Sequence, residues 1–254
     1  MSSGHHRDVA AVLLAAGVGR RLGQGDPRPK VLLEFAGRSL LERHCDALTH
    51  AGVGELAIVV GFEAGQIRAA AGALSTPLAI RLIENPRFTE GSVVSLAAAG
   101  PVLRAGRPVA LMDGDVLYDR EMLTRMLASP AENALLVDRE LEPGDEPVKL
   151  CFGDDGRIVD FRKRPEHPGA WHGESVGFFR FSPAMAGALA DRGDHYVAKA
   201  PNTEYEEAIR DLMLAEPGRF GAEDVTDLAW TEIDFAEDVV KAREVILPKL
   251  EALT

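Results

Sequence analysis

Between residues 9 and 137 short apolar runs alternate with helical patterns, and this alternation constrains the fold more than any other feature of the chain. Residues 9–15, 56–60, 78–83, 109–112 and 134–137 read as buried strands, each bounded by turn or polar residues. Residues 39–51, 63–74, 92–103 and 119–128 read as helices between them. The first begins at a capping serine, Ser39, and stops at Gly52. Repeated strand–helix–strand units pair in parallel through right-handed crossovers, with helices on both faces of the sheet. Ligands of such sheets bind at the carboxyl ends of the strands, so the loops that follow strands are where chemistry is expected.

The pattern changes near residue 140. Residues 148–152 and 158–161 flank Gly153-Asp154-Asp155-Gly156 and read as a β-hairpin. Residues 175–181 read as a strand, ended by Ser182-Pro183, a serine cap with proline at the first helical position. Thr203-x-x-Glu206 has the spacing of a capping box, and a last strand over 229–233 leads to a helix from Phe235 that Pro248 ends or kinks. No repeat and no long polar linker divides the chain. The expected architecture is one α/β domain over 1–254, a Rossmann-like, mostly parallel sheet with a β-rich acceptor insertion. Residues 1–140 would form the nucleotide-binding half, and 141–254 would bind an acceptor and complete a metal site.

Composition narrows the classes. With 254 residues, 46% hydrophobic and 27% charged, disorder is excluded and a sizeable core is affordable. A net charge of −12 opposes binding to nucleic-acid backbones. Cys45 and Cys151 form no C-x-x-C, so neither a disulfide framework nor a zinc site is indicated. His5 and His6 read as a terminus rather than as ligands. The apolar run before Gly17 is too short for a signal peptide, and no stretch approaches a membrane span. The expected compartment is the cytoplasm.

The loop after the first strand is the most informative stretch: Leu14-Ala15-Ala16-Gly17-Val18-Gly19-Arg20-Arg21-Leu22, then Pro29-Lys30. Glycines there let backbone N–H groups approach a polyphosphate. The G-x-x-x-x-G-K-[ST] spacing is absent, and G-x-G-x-x-G fails at Leu22. Arg21 and Lys30 supply cations instead. The first thirty residues hold five cations against two acids in an otherwise acidic chain. This marks a local anion site.

These residues resemble the signature of nucleotidyltransferases that build nucleotide-diphosphate sugars and CDP-alcohols. The resemblance extends along the chain through Gly61-Phe62, Asn85 with Gly91-Ser92-x-x-Ser95-Leu96, and Asp113-Gly114-Asp115. It continues through Lys163 in Arg162-Lys163-Arg164-Pro165, Gly173-Glu174-Ser175-Val176-Gly177 and Trp230-Thr231-Glu232-Ile233-Asp234 with Glu237-Asp238. The closing motif and the 92–96 segment lean toward the phosphocholine and phosphonate cytidylyltransferase branch. Arg20 stands where the family has Ser or Thr, and Ser92 replaces a common Asn. The implied fold is the nucleotide-diphospho-sugar transferase type.

The implied reaction is in-line attack by an ionised phosphate or phosphonate oxygen on the α-phosphorus of CTP, expelling pyrophosphate. A phosphate monoester is largely ionised at neutral pH, so no general base is required. The obstacle is repulsion between anions, which calls for neutralisation and alignment. Leu14, Ala15, Ala16, Gly17 and Gly19 would hold the triphosphate, with Arg21 on its β- and γ-phosphates and Lys30 on the α-phosphate. Asn85, Gly91, Ser92, Ser95 and Asp113 would serve the base and nucleoside. Asp115 and Asp234 would bind Mg²⁺, an ion that takes oxygen ligands and bridges phosphates. Lys163 would meet the acceptor phosphate, and Glu174 would lie beside it. Asp113-Gly114-Asp115 is also turn chemistry, and Asp234-x-x-Glu237 is also a helix cap. Phe178, Tyr196, Tyr205 and Trp230 are candidates for a cage around a quaternary ammonium, with Tyr118 and Trp171 expected first and core packing as the alternative. Phosphocholine is the first acceptor expected. A sugar-1-phosphate acceptor with UTP or dTTP, a nucleotide-sugar glycosyltransferase and a non-catalytic nucleotide-binding module remain as rivals. The resemblance leaves the oligomeric state, a homodimer included, open.

Overall fold

The computed structural model describes residues 6–19, 21, 28–140 and 147–252; His5, Arg20 and Leu22 lie outside them. In the first half, β1 (Ala10–Ala15) is followed by a 3-10 turn (Lys30–Leu32) and a small hairpin of β2 (Glu34–Phe35) and β3 (Arg38–Ser39). Then come α1 (Leu40–His50), β4 (Glu55–Val60), α2 (Ala64–Ala73), β5 (Ala79–Glu84), α3 (Ser92–Ala98) and α4 (Gly100–Leu103). β6 (Val109–Asp113), β7 (Val116–Tyr118), α5 (Glu121–Ala128) and β8 (Asn133–Asp138) follow. The second half holds β9 (Lys149–Phe152), β10 (Ile158–Arg162), β11 (Trp171–Phe181), α6 (Pro183–Lys199) and α7 (Tyr205–Ala215). It ends with β12 (Phe220–Asp224), β13 (Trp230–Glu232), α8 (Ala236–Lys241) and α9 (Leu247–Glu251).

The main sheet runs β10-β9-β11-β6-β1-β4-β5; β8 joins it by pairing with β11, and β12 pairs with β8. β6, β1, β4 and β5 are parallel, as the alternation predicts. β11 is antiparallel to β6, β8 and β9, and its Phe178–Phe181 stretch lies on β6 while Trp171–Glu174 lies on β9. One sheet therefore runs through both halves of the chain. The parallel order places the ends of β1, β4 and β6 at one carboxyl edge.

Period-2 alternation puts helices on both faces. Ala10 and Val12 of β1, with Leu111 of β6, pack toward Leu96 of α3, Leu189 of α6 and Ile209 of α7. Ala11 and Leu13, with Met112, pack toward Leu41 and Leu48 of α1, Ile67 of α2 and Met126 of α5. Each fully buried leucine contributes roughly 1.5–3 kcal/mol. β7 and β13 pair separately, and Leu117 and Ile233 pack on Ile246 and Leu247 beneath the C-terminal helices.

Local expectations hold at several caps and fail at others. Ser39 and Glu42 form a reciprocal capping box, and the Ser182 hydroxyl accepts the Met185 N–H with Pro183 at the first turn. The 92–103 helix is broken between Ala98 and Gly100 ahead of Pro101. Thr203 does not cap α7; its hydroxyl donates to the Ala200 carbonyl, and the Tyr205 N–H is accepted by the Ser92 hydroxyl at 2.8 Å. Pro248 neither ends nor sharply breaks the last helix. A π-helical turn over Ala242–Ile246 absorbs it, and α9 continues. Cys45 and Cys151 are buried free thiols, and burial pushes them to about 12 and about 11. Among the described residues no helix is long and apolar enough to cross a membrane.

Candidate functional site

At the carboxyl edge three distant segments converge on Lys30. Its ammonium donates to Asp115 Oδ2 at 2.9 Å and to Asp234 Oδ1 at 2.5 Å. Arg21 reaches Asp234 Oδ2 at 3.4 Å and lies over the Phe235 ring, 5.5 Å from its centroid. Burial works against the charge on Lys30, but the two carboxylates hold it above the ordinary lysine range. Glycine-loop geometry frames this cluster: the Ala16 carbonyl accepts the Phe62 N–H, and the Leu14 carbonyl accepts the Gly114 N–H.

Asp115, Glu232 and Asp234 each bring a carboxylate oxygen within 4.8 Å of the others. All donors are hard oxygens, and a cation, the Lys30 ammonium, already bridges two of them, so the trio fits Mg²⁺ chemistry. Glu232 opens onto a cavity, yet enclosure there and the Asp115 and Asp234 charges push its carboxyl well above the usual range. Asp234 is not the helix cap. Asp238 accepts the Asp234 and Phe235 N–H groups at 2.8 and 2.7 Å, which leaves the Asp234 carboxylate to the site.

Asp113 sits behind this trio. Its carboxylate accepts the Tyr205 hydroxyl at 2.7 Å, and burial, then Asp115 and Glu206, raise it well above an ordinary aspartate. Gly177 makes room for it. That residue has φ +77°, and a Cβ there would fall 2.1 Å from Asp113 Oδ2.

Two cavities meet at this edge. The first, about 470 Å³, is lined by Arg21, Arg162, Lys163 and Arg164 together with Glu204, Glu206 and Glu207. The second, about 700 Å³, is lined among the described residues by nine carboxylates, Asp113, Asp138, Glu174, Glu206, Glu232 and Asp234 among them, against three lysines. Val148, Lys163 and Glu206 belong to both walls. Crowding shows in the titration of the second. Burial and then Asp138 push Glu174 to about 7, and burial and then Glu204 push Glu206 to about 7. Glu206 Oε2 is sealed from bulk solvent without a hydrogen-bond partner among the described residues.

Lys163 is carried by a turn that Asp160 anchors. Fully buried Asp160 accepts Arg210 Nε at 2.6 Å and the N–H groups of Phe161, Glu166 and His167. Burial opposes its charge, yet these donors hold it below the usual carboxylate range.

The expected base-side residues are largely committed to each other. Asn85 donates to the Ser95 hydroxyl at 3.0 Å and accepts the Arg87 N–H, and both side chains are buried. The Ser92 hydroxyl donates to Glu204 at 2.8 Å while accepting Tyr205 N–H, and the Gly91 N–H goes to the Pro201 carbonyl. None of the four lines either cavity. The two aromatics expected first are also elsewhere. Tyr118 is buried edge-on against Phe178, with its hydroxyl on His44, because β7 has core on both of its faces. Trp171 stacks on Phe152 at 3.9 Å and has the Arg139 guanidinium 4.4 Å above its ring, so neither face is open to an ammonium. Tyr196 donates to Asp211, and Phe178 is core. The aromatics on the large cavity are Tyr205, Trp230 and Phe235, and Trp230 Nε1 donates to Asp138 at 2.8 Å.

A glycine loop, a lysine and a carboxylate trio at the carboxyl edge of a Rossmann-like sheet define a nucleotidyltransferase class of site. The chain belongs to the family of the MobA-like NTP transferase domain, whose profile matches residues 11–174. It is 31% identical over 244 residues to a CMP-5'-(3-aminopropyl)phosphonate synthase of Streptomyces rubellomurinus, covering 89% of this chain and 37% of that one. It is 30% identical to a bifunctional IPC transferase and DIPP synthase of Rubrobacter xylanophilus, covering 94% of this chain and 52% of that one. The chain thus spans between about a third and a half of these relatives. The fold matches an inositol-1-phosphate CTP transferase from T. maritima with TM-score 0.76 and 19% identity, over 95% of this chain and 96% of that one.

Proposed function

We propose that this chain transfers CMP from CTP to a small phosphonate or phosphomonoester that also bears an amino or quaternary ammonium group, releasing pyrophosphate. The observation that carries this reading is the pairing of a cationic cavity with an acid-lined one through shared Lys163 and Glu206. Phosphates are attracted to the Arg21 side. The other end of the acceptor faces carboxylates, and a positive charge there would favour the ionised forms of Glu174 and Glu206, which burial first and neighbouring acids second disfavour. Neutral hydroxyls of a sugar or cyclitol offer no such relief. The relative named for making a CMP-(3-aminopropyl)phosphonate favours the same reading by sequence.

In this mechanism the chain moves charge rather than protons. Lys30 exchanges Asp115 and Asp234 for the α-phosphate when the nucleotide arrives, and Arg21 takes the departing pyrophosphate. Lys163, fixed by the Asp160–Arg210 turn, orients the attacking oxygen. Asp115, Glu232 and Asp234 would hold Mg²⁺, which supplies neutralisation of the phosphate oxygens when bound. The glycosyltransferase rival has no need of cations around a β,γ-pyrophosphate.

The test is pyrophosphate release from CTP, UTP, dTTP and GTP against 3-aminopropylphosphonate, phosphocholine, inositol phosphate and glucose 1-phosphate. Release from CTP with the first two is expected. Release only with UTP or dTTP and glucose 1-phosphate would overturn the proposal.

A further inference from the structure

His44 of α1 is fully buried, with a ring nitrogen on each side engaged. Nε2 lies 3.3 Å from the Gly114 carbonyl oxygen, and Nδ1 lies 3.3 Å from the Tyr118 hydroxyl. A carbonyl only accepts, so Nε2 carries the proton and donates, and Nδ1 accepts from the tyrosine. The tautomer is fixed by its partners. Burial pushes His44 down to about 4, so the ring is neutral at ordinary pH.

Gly114 is the middle of Asp113-Gly114-Asp115, and both its backbone groups are used. Its N–H donates to the Leu14 carbonyl at 3.0 Å, and its carbonyl receives His44. A Cβ on Gly114 would stand 2.8 Å from that same Leu14 oxygen, so the turn is pressed onto the end of β1. The next residue, Asp115, accepts the Ile233 N–H on its carbonyl, one residue before Asp234. The path Tyr118–His44–Gly114 therefore sets where the Asp115 carboxylate stands relative to Glu232 and Asp234.

We propose that His44 is a positioning residue for the divalent-cation site: its Nε2–H bond to Gly114 holds the Asp113-Gly114-Asp115 turn so that Asp115 meets Asp234 and Glu232. This rests on the reading of that trio as the cation site. Hydrogen-bonded groups behind metal ligands typically alter affinity by about 10- to 100-fold when removed.

The experiment measures Mn²⁺ binding to the full chain by the loss of the free-ion electron paramagnetic resonance signal, with the thermal midpoint recorded for each protein. His44→Leu keeps the bulk and removes the bond; its Mn²⁺ affinity is expected to fall about tenfold. His44→Gln, which puts an N–H near the position of Nε2, is expected to stay within about threefold of the parent, whereas His44→Asn, whose amide stops short, follows leucine. Should His44→Leu not fold, Tyr118→Phe carries the test, because it removes the donor that fixes the tautomer while keeping the ring; a fall of about threefold is expected. Equal Mn²⁺ affinity in the parent and the folded variants, with only a lowered midpoint, would reduce His44 to core packing and overturn the proposal alone. No Mn²⁺ binding by the parent would overturn the cation-site reading and this proposal with it.

Discussion

The two cavities are built by the same kind of edge yet carry opposite charge. The smaller takes Arg21 from the loop after β1, Arg162 from the end of β10 and Lys163 and Arg164 from the turn after it, and these four cations outnumber Glu204, Glu206 and Glu207. The larger takes Asp113 and Asp138 from the ends of β6 and β8 and most of its other acids from β11, α7, β13 and the start of α8. A uniformly basic pocket would bind a phosphate in any orientation, whereas segregated charge gives a zwitterionic acceptor one direction. In the proposed reading that direction would bring its anionic end to Lys163 and its cationic end to the acids. Burial first, and then the neighbouring acids Asp138 and Glu204, push Glu174 and Glu206 up to about 7.

The largest test of that contrast removes the cluster between the cavities. Asp115→Asn and Asp234→Asn are each expected to lower kcat by about 10²–10³, an effect comparable to losing one preorganised transition-state contact. Circular dichroism should stay unchanged, since both side chains are partly solvent-exposed. Near-normal rates would break the role of either residue. Next, Glu206→Gln should raise the acceptor KM about tenfold for aminopropylphosphonate and leave the CTP KM within about twofold, the size of one lost charge-assisted contact. An equal rise in both would blur the division between cavities.

The pH response is smaller and has a definite sign. Glu174 and Glu206 have folded values near 7, above the usual glutamate, so they are protonated below pH 7 and ionised above it. A cationic acceptor binds the ionised form, so its KM should fall as pH rises through 7, most steeply between 6 and 8. For stability the sign is reversed. Between the unfolded value near 4.5 and the folded value near 7 the native state binds more protons, so these acids cost stability as pH rises. Glu206→Gln should therefore raise the melting midpoint at pH 8 by roughly 2–4 °C, about 1 kcal/mol, and change little at pH 5. A lower midpoint at pH 8 would contradict the crowding.

Much of the nucleotide half was legible because its signals are local. Apolar runs of strand length, a capping serine at 39 and glycines after the first strand each report on their own neighbourhood. The cluster around Lys30 was legible in part: Lys30, Asp115 and Asp234 stood out by motif, but Glu232 was passed over among many acids in the same stretch. Glu206 was missed for a physical reason. Its spacing from Thr203 imitates a capping box, while the real cap is the Ser92 hydroxyl, 113 residues away. Tyr118 and Trp171 lie beside motif loops in sequence, but position along a chain does not say which face a ring takes. His44 fills the space beside Tyr118, and Phe152 covers Trp171. Asp160 and Arg210, which fix the Lys163 turn, join elements 50 residues apart and leave no local mark.

The account turns on whether the acid-lined cavity reads a positive charge. The direct measurement is kcat/KM at saturating CTP for 3-aminopropylphosphonate against butylphosphonate, which matches it in length and lacks the ammonium. A preference of about 100-fold or more for the amine, reduced about tenfold in Glu206→Gln, is the result this structure predicts. Equal use of both compounds would contradict it.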